Sequence, residues 1–146
     1  MGLGLFSSVI DHSLASVMLA RFVRAKKGRI TNSLDMTAQR SGLTACMSPL
    51  NCVFVQKDFN DVDKAFSELK KIAGNIPRTT VLEDSNNYWK GVCRSLIFRF
   101  PDDLEILKVN QEIIQIKSAS RIGASDLGVN RGRINYLLKQ LEKNTL

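Results

Sequence analysis

The sequence predicts an α+β protein: a two-layer sandwich of element order β-α-β-β-β-β-α, two helices lying on an antiparallel meander, preceded by an amphipathic N-terminal helix. Three observations carry that prediction. Apolar residues recur at helical spacing over 62–72 and again over 134–141. Between those stretches, β-branched and alternating segments follow one another with only short polar turns. Ahead of them, residues 3–23 form an apolar-rich run with helical rather than alternating period.

In that first run, Leu3, Phe6, Ile10, Leu14 and Val17 share one helical face, with Leu5 beside them and Ser7, Ser8 and Asp11 between. Asp11 and His12 make it a poor transmembrane span. A secretory signal carries positive charge before its apolar run, whereas here Arg21, Arg24, Lys26, Lys27 and Arg29 follow it. Three readings stay open: a helix that docks on a partner or an anionic membrane surface, an organelle targeting peptide, or an extra helix packed on the domain. Docking is the leading expectation, through Leu5, Phe6, Ile10, Leu14, Val17, Arg21, Arg24, Lys26 and Lys27. Residues 28–51 are rich in Gly, Ser, Thr, Asn and Pro and break any period. The expected division is therefore a helix and basic linker over 1–40 and a small domain over 41–146.

Within the domain, Cys52 to Gln56 is a short apolar strand. Asp58, Asn60 or Asp61 can cap the next helix, which presents Val62, Ala65, Phe66, Leu69 and Ile72 on one face and stops at Gly74-Asn75 before Pro77. Arg78 to Glu83 is β-branched, and Asp84-Ser85-Asn86-Asn87 is a turn. Tyr88 to Phe100 alternates as one long strand, Trp89, Gly91, Cys93, Ser95, Ile97 and Arg99 against Tyr88, Val92, Leu96, Phe98 and Phe100. Pro101-Asp102-Asp103 is expected to turn the chain. Leu104 to Val109 and Glu112 to Lys117 then pair about Asn110-Gln111. The last helix, Val129 to Lys143, buries Ile134, Leu137, Leu138 and Leu141.

The formal net charge is +7 over 146 residues, and its placement is uneven. Residues 1–50 hold six Lys/Arg and two acids, 51–105 eight and nine, and 106–146 seven and three. Basic ends favour anionic partners, or they are simply a solvated surface. Three cysteines, Cys46, Cys52 and Cys93, are too few for a disulfide scaffold. Cys46 and Cys52, six apart, can bridge locally, but free thiols in a reducing compartment are the leading expectation. CxxC is absent and the lone histidine is His12, so neither a zinc site nor a Ser-His-Asp triad within the domain is expected. No Gly-Lys-Ser/Thr phosphate loop is present. Alternation places most of Tyr88, Trp89, Phe98 and Phe100 in the core, so a base-stacking surface is not expected.

The densest polar segment is Ser118-Ala-Ser-Arg-Ile-Gly-Ala-Ser-Asp-Leu-Gly-Val-Asn-Arg-Gly-Arg133. Ser118, Ser120, Arg121, Asp126, Asn130 and Arg133 can cluster with Asp102 and Asp103. Gly123 and Gly128 permit tight turns, and a helix start beside Arg121 and Arg131 favours an anion. The competing reading is purely architectural: Arg121 pairs with Asp102 or Asp103, and the loop staples the last helix to the sheet. That architectural reading is preferred here, and catalysis is the weakest option.

This run resembles the C-terminal hallmark of the "domain of unknown function 1499" family, found in bacteria and in plastid-bearing eukaryotes. Ser95 before an aromatic strand ending at Phe100, the Asp102-Asp103 pair, and the loop Cys46-Met47-Ser48-Pro49-Leu50-Asn51-Cys52 are similar to that family too. The resemblance covers about residues 43–142. The chain departs from the pattern at Met47, Leu50, Phe54-Val55 and Ala124. It implies a small domain, often exported or membrane-associated, without an established reaction. The expected function is a non-catalytic accessory module in a membrane complex or on an anionic membrane, organellar (mitochondrion or plastid) or bacterial, with no cofactor. The alternative is a protein binding an anionic small molecule, or an enzyme, through the Ser118–Arg133 loop.

Overall fold

The structure, a computed structural model, describes residues 40–145. The expected N-terminal helix and its docking residues from Leu5 to Lys27 lie outside the described residues. The domain runs β1 (Cys52–Asp58), α1 (Val62–Gly74), β2 (Thr79–Asp84), β3 (Tyr88–Arg94), β4 (Pro101–Lys108), β5 (Ile113–Ser120) and α2 (Val129–Thr145). The five strands form one antiparallel sheet in the order β1-β5-β4-β3-β2. The fold is thus α+β, with the last four strands as a meander and β1 added beside β5.

Asp61 starts α1 by accepting the Lys64 backbone N–H on its side chain at 2.9 Å. The stripe Val62, Ala65, Phe66, Leu69, Ile72 and Ala73 is buried, as helical period requires. It meets Trp89, Leu104, Ile106, Ile114 and Ile116 of the sheet and Ile134, Leu137 and Leu141 of α2. Trp89 is nearly inaccessible and its ring lies over Gly91. A Cβ at Gly91 would meet the indole at 2.6 Å, so only glycine leaves room for that rotamer. Among the described residues no helix is long and apolar enough to cross a membrane.

Among the described residues the second face of the sheet carries no helix. Residues 40–46 run across its strands instead. Arg40 pairs with Glu83 on β2 at 3.3 Å, and its guanidinium lies 3.6 Å from the centre of the Tyr88 ring on β3. The Leu43 N–H donates to Gln115 Oε1 on β5 at 2.8 Å. Cys46 is joined to Cys52 on β1 by a disulfide. This strap covers a row in which Tyr88 and Leu107 are buried. Tyr88 donates its hydroxyl to Glu105 at 2.6 Å. Burial first, and then this bond to a carboxylate, push the phenol pKa well above its ordinary value.

Three expectations need correction. The strand expected over Tyr88–Phe100 ends at Arg94. Ser95 closes a separate loop there: its N–H donates to the Phe100 carbonyl at 3.1 Å, and its hydroxyl accepts the Phe100 N–H at 3.0 Å. Leu96, Ile97, Phe98 and Phe100 are consequently exposed rather than core. Pro101-Asp102-Asp103 is no turn but the start of β4, where proline is tolerated as the first residue of a strand. Finally, the expectation of free thiols fails at Cys46 and Cys52, because the strap brings the two side chains together; Cys93 alone is free, and buried.

Candidate functional site

Alternation along β4 sends adjacent aspartates to opposite faces. Asp102 pairs in register with Ser120 of β5 and faces the helices, whereas Asp103 points to the other side. The candidate residues therefore form two groups rather than one.

The buried group lies where α2 begins. Its N-terminus is shaped by Asp126, whose carboxylate accepts the Gly128 N–H at 2.9 Å and the Asn130 N–H at 2.8 Å. Gly123 and Gly128 take positive φ in the approach to the helix, as does Leu127. Burial acts to raise the Asp126 pKa, but the N–H groups of Asn130 and Gly128 favour the carboxylate and the net shift is downward. One turn into α2, Arg133 reaches the sheet. Its Nη2 donates to Asp102 at 2.8 Å, and Nη1 to Ser118 Oγ at 2.7 Å and Asn130 Oδ1 at 2.6 Å. Ser118 donates to Asn130, and Ser120 to Asp102. Asn130 Nδ2 donates to Ser120 Oγ and to the Asn51 carbonyl. The Arg133–Asp102 pair is buried, at 8% and 5% side-chain exposure, and Ser118 and Asn130 are fully buried.

The exposed group is Arg121 with Asp103. The guanidinium grips the carboxylate through Nε at 3.1 Å and Nη2 at 2.6 Å, with Lys90 at 3.9 Å. This pairing raises the Arg121 pKa further. It sits at the surface, with the Arg121 side chain 44% and the Asp103 side chain 23% exposed.

One participant escaped the sequence reading. Asn51 accepts from Ser120 N–H and Asn130 on its carbonyl and donates its side chain to Gly123 O at 2.9 Å. The neighbouring Leu50 carbonyl accepts the Asp126 N–H at 3.1 Å. The loop closed by the disulfide is thereby stitched to the 121–128 loop. The signal was present as Pro49-Leu50-Asn51-Cys52, but only the sheet register shows which loop it meets.

Chemically, the buried group is saturated. No buried side-chain nitrogen or oxygen among the described residues lacks a partner. At the start of α2, where an anion would bind, Asp126 already holds the N–H groups of Gly128 and Asn130 on its carboxylate and that of Val129 on its carbonyl. No histidine, and no group of three potential metal ligands, is found among the described residues. A shallow depression lined by Asp58, Phe59, Asn60 and Glu112 lies at the far end of the sheet, away from both groups.

Comparison with known proteins adds one match. The model of a family described as "Protein of unknown function (DUF1499)" covers residues 35–141, spanning the strap, the sheet, α1, most of α2 and every residue of the two groups. No curated protein matches the chain.

Proposed function

This chain belongs to the DUF1499 family, and we propose that it is a non-catalytic interaction module that docks on a membrane or on a membrane-protein complex. One observation carries the reading. The polar cluster with the greatest chemical potential is closed on itself: Arg133 is neutralised by Asp102, and the helix N-terminus is occupied by Asp126. Such a cluster fixes the start of α2 against β4 and β5, and its buried side-chain donors are spent on one another rather than left for a substrate. A scaffold of this kind acts through its surfaces. The basic, amphipathic segment 3–29 is the sequence feature that suits an anionic membrane or a membrane-bound partner.

The test is gentle isolation of the tagged protein from its native source, followed by separation of membranes and large complexes from free protein. The full chain is expected with the membrane fraction, and a chain lacking residues 3–29 is expected in the soluble fraction. A shortened chain that stays with the membranes would defeat the assignment of docking to that segment. A full chain that runs as a free monomer would defeat the reading as a whole.

A further inference from the structure

The sheet has two unlike ends. At one lie the loop before β1, the β3–β4 loop and the β5–α2 loop, as the registers Cys52↔Ala119, Cys93↔Asp102 and Asp102↔Ser120 require. Most of the large apolar side chains left in solvent are on these three loops. They include Leu96, Ile97, Phe98 and Phe100 in one and Ile122 and Leu127 in another, with Ile97 at 79%, Phe98 at 71% and Leu127 at 94% exposure. Phe98 and Phe100 stack on each other, with ring centres 5.5 Å apart, instead of on the core. Arg99, between them, and Leu127 hold positive φ, a conformation that non-glycine side chains rarely adopt.

The same end is basic. Arg94, Arg99, Arg121 and Arg131 are all exposed there. Arg121 is neutralised by Asp103, but no carboxylate pairs with Arg94, Arg99 or Arg131 among the described residues. The other end is the reverse: its turns at 58–61, 84–87 and 109–112 carry Asp58, Asp61, Asp84 and Glu112 and no lysine or arginine, with Asp84 neutralised by Lys70 of α1. None of the exposed large apolar side chains is found there.

Scattered exposed apolar residues need no explanation, but these gather on adjoining loops and are accompanied by arginines that no carboxylate neutralises among the described residues. We infer that this end of the domain is a contact surface for an anionic lipid bilayer, in which the loop apolar residues enter the headgroup boundary and the arginines meet lipid phosphates. Apolar loop tips with a cationic surround suit a bilayer, and the acidic far end orients the domain by being repelled from it. The inference rests on the membrane-docking reading above and extends it from the N-terminal segment to the folded domain.

The experiment is co-sedimentation of the full chain with vesicles of equal parts phosphatidylglycerol and phosphatidylcholine, and with phosphatidylcholine alone. The variants are Arg94→Gln/Arg99→Gln, Ile97→Ser/Phe98→Ser, deletion of 3–29, and Phe98→Trp. All the substituted side chains are exposed, and circular dichroism checks the fold. Partition onto the anionic vesicles is expected to fall about twenty-fivefold for the double arginine variant, at roughly fivefold per cation. The apolar pair is expected to lose about tenfold or more. The chain lacking 3–29 should retain binding that is sensitive to these substitutions. In Phe98→Trp the new indole should be quenched by brominated acyl chains, while Trp89, buried in wild type, should not. If wild type binds but the loop variants bind equally well and the new indole is not quenched, this inference falls and the docking reading survives. If wild type binds neither vesicle, bilayer docking falls altogether, and release of the loop variants from a native complex would then identify this end as a protein contact.

Discussion

The two faces of the sheet are closed by different physics. On one, α1 and α2 bury a continuous apolar core, and a polar cluster of Asp102, Ser118, Ser120, Asn130 and Arg133 pins α2 at its start. On the other, a strap of seven residues crosses the strands and is held by an ion pair, a ring contact, one hydrogen bond and a disulfide. The first cover is cooperative, because each side chain is buried by several others. The second is a series of separate fastenings that can be undone one at a time. Stability should therefore reside on the helix face, and the strap should be the adjustable part.

The largest effect should come from breaking the helix-face clamp. Arg133→Met leaves Asp102 buried without its cation, which is expected to cost about 3–5 kcal/mol in denaturant unfolding. Restoring balance with Asp102→Leu in the same chain should recover much of the loss. A double variant no better than the single would show that the cluster matters for something other than charge pairing.

Next is the strap. Cys46→Ser removes a short covalent loop and should cost about 2 kcal/mol, because a small loop removes little freedom from the unfolded chain. Amide exchange should rise around Leu43, whose N–H is tied to the Gln115 side chain, while the core amides of Leu104 and Ile106 stay protected. If the core opens to the same extent, the two faces are not energetically separate and the comparison fails.

Asp126→Ala removes a cap and should cost about 1 kcal/mol. Because the folded pKa of Asp126 is lowered, its contribution is present above its ordinary value of about 4 and disappears as the pH falls below it. Wild type and variant should accordingly converge on acid titration of the unfolding midpoint. A gap that persists at low pH would mean that the carboxylate charge is not what caps α2.

The smallest effect tests the strap face from the alkaline side. The folded phenol of Tyr88 resists ionisation, whereas the unfolded one ionises near about pH 10. The stability it contributes is complete below that pH and is lost as the pH rises above it. The advantage of wild type over Tyr88→Phe should narrow above about pH 10. An advantage that does not change there would mean that the buried bond to Glu105 plays no part.

The stripe Val62, Ala65, Phe66, Leu69, Ile72 and the stop at Gly74-Asn75 fix α1 because they are local signals. The alternation from Tyr88 onward located β3 but not its end. Leu96 to Phe100 continue the same apolar pattern, and period alone does not tell a side chain facing a core from one facing solvent. The strand stops because Ser95 and Phe100 bond to each other.

Apart from Asn51, the polar residues of the candidate site were legible as types, yet their grouping was not. Asp102 and Asp103 are neighbours in sequence and on opposite faces in the sheet, so Arg121 takes the second and Arg133 the first. Only register decides that, and register is a long-range property. The disulfide is only one option in the sequence for the same reason: nothing in the spacing of Cys46 and Cys52 says that the chain between Arg40 and Cys46 is laid across the strands.

That strap has a mechanical consequence. Tension applied to the chain ahead of Arg40 first meets weak fastenings at Glu83, Tyr88 and Gln115, and residues 40–45 peel from the sheet one contact at a time. At about 3.5 Å per residue this releases roughly 20 Å of slack. Peeling then halts at a covalent stop, because Cys46 is tied to Cys52. With the bond intact, the short loop 47–51 is shielded from load. With it reduced, the load passes through that loop to the end of β1, an edge strand held to the sheet by β5 alone. The disulfide thus works as a shock absorber's end-stop, and single-molecule pulling with and without reductant would show it as a difference in the length released before the sheet yields.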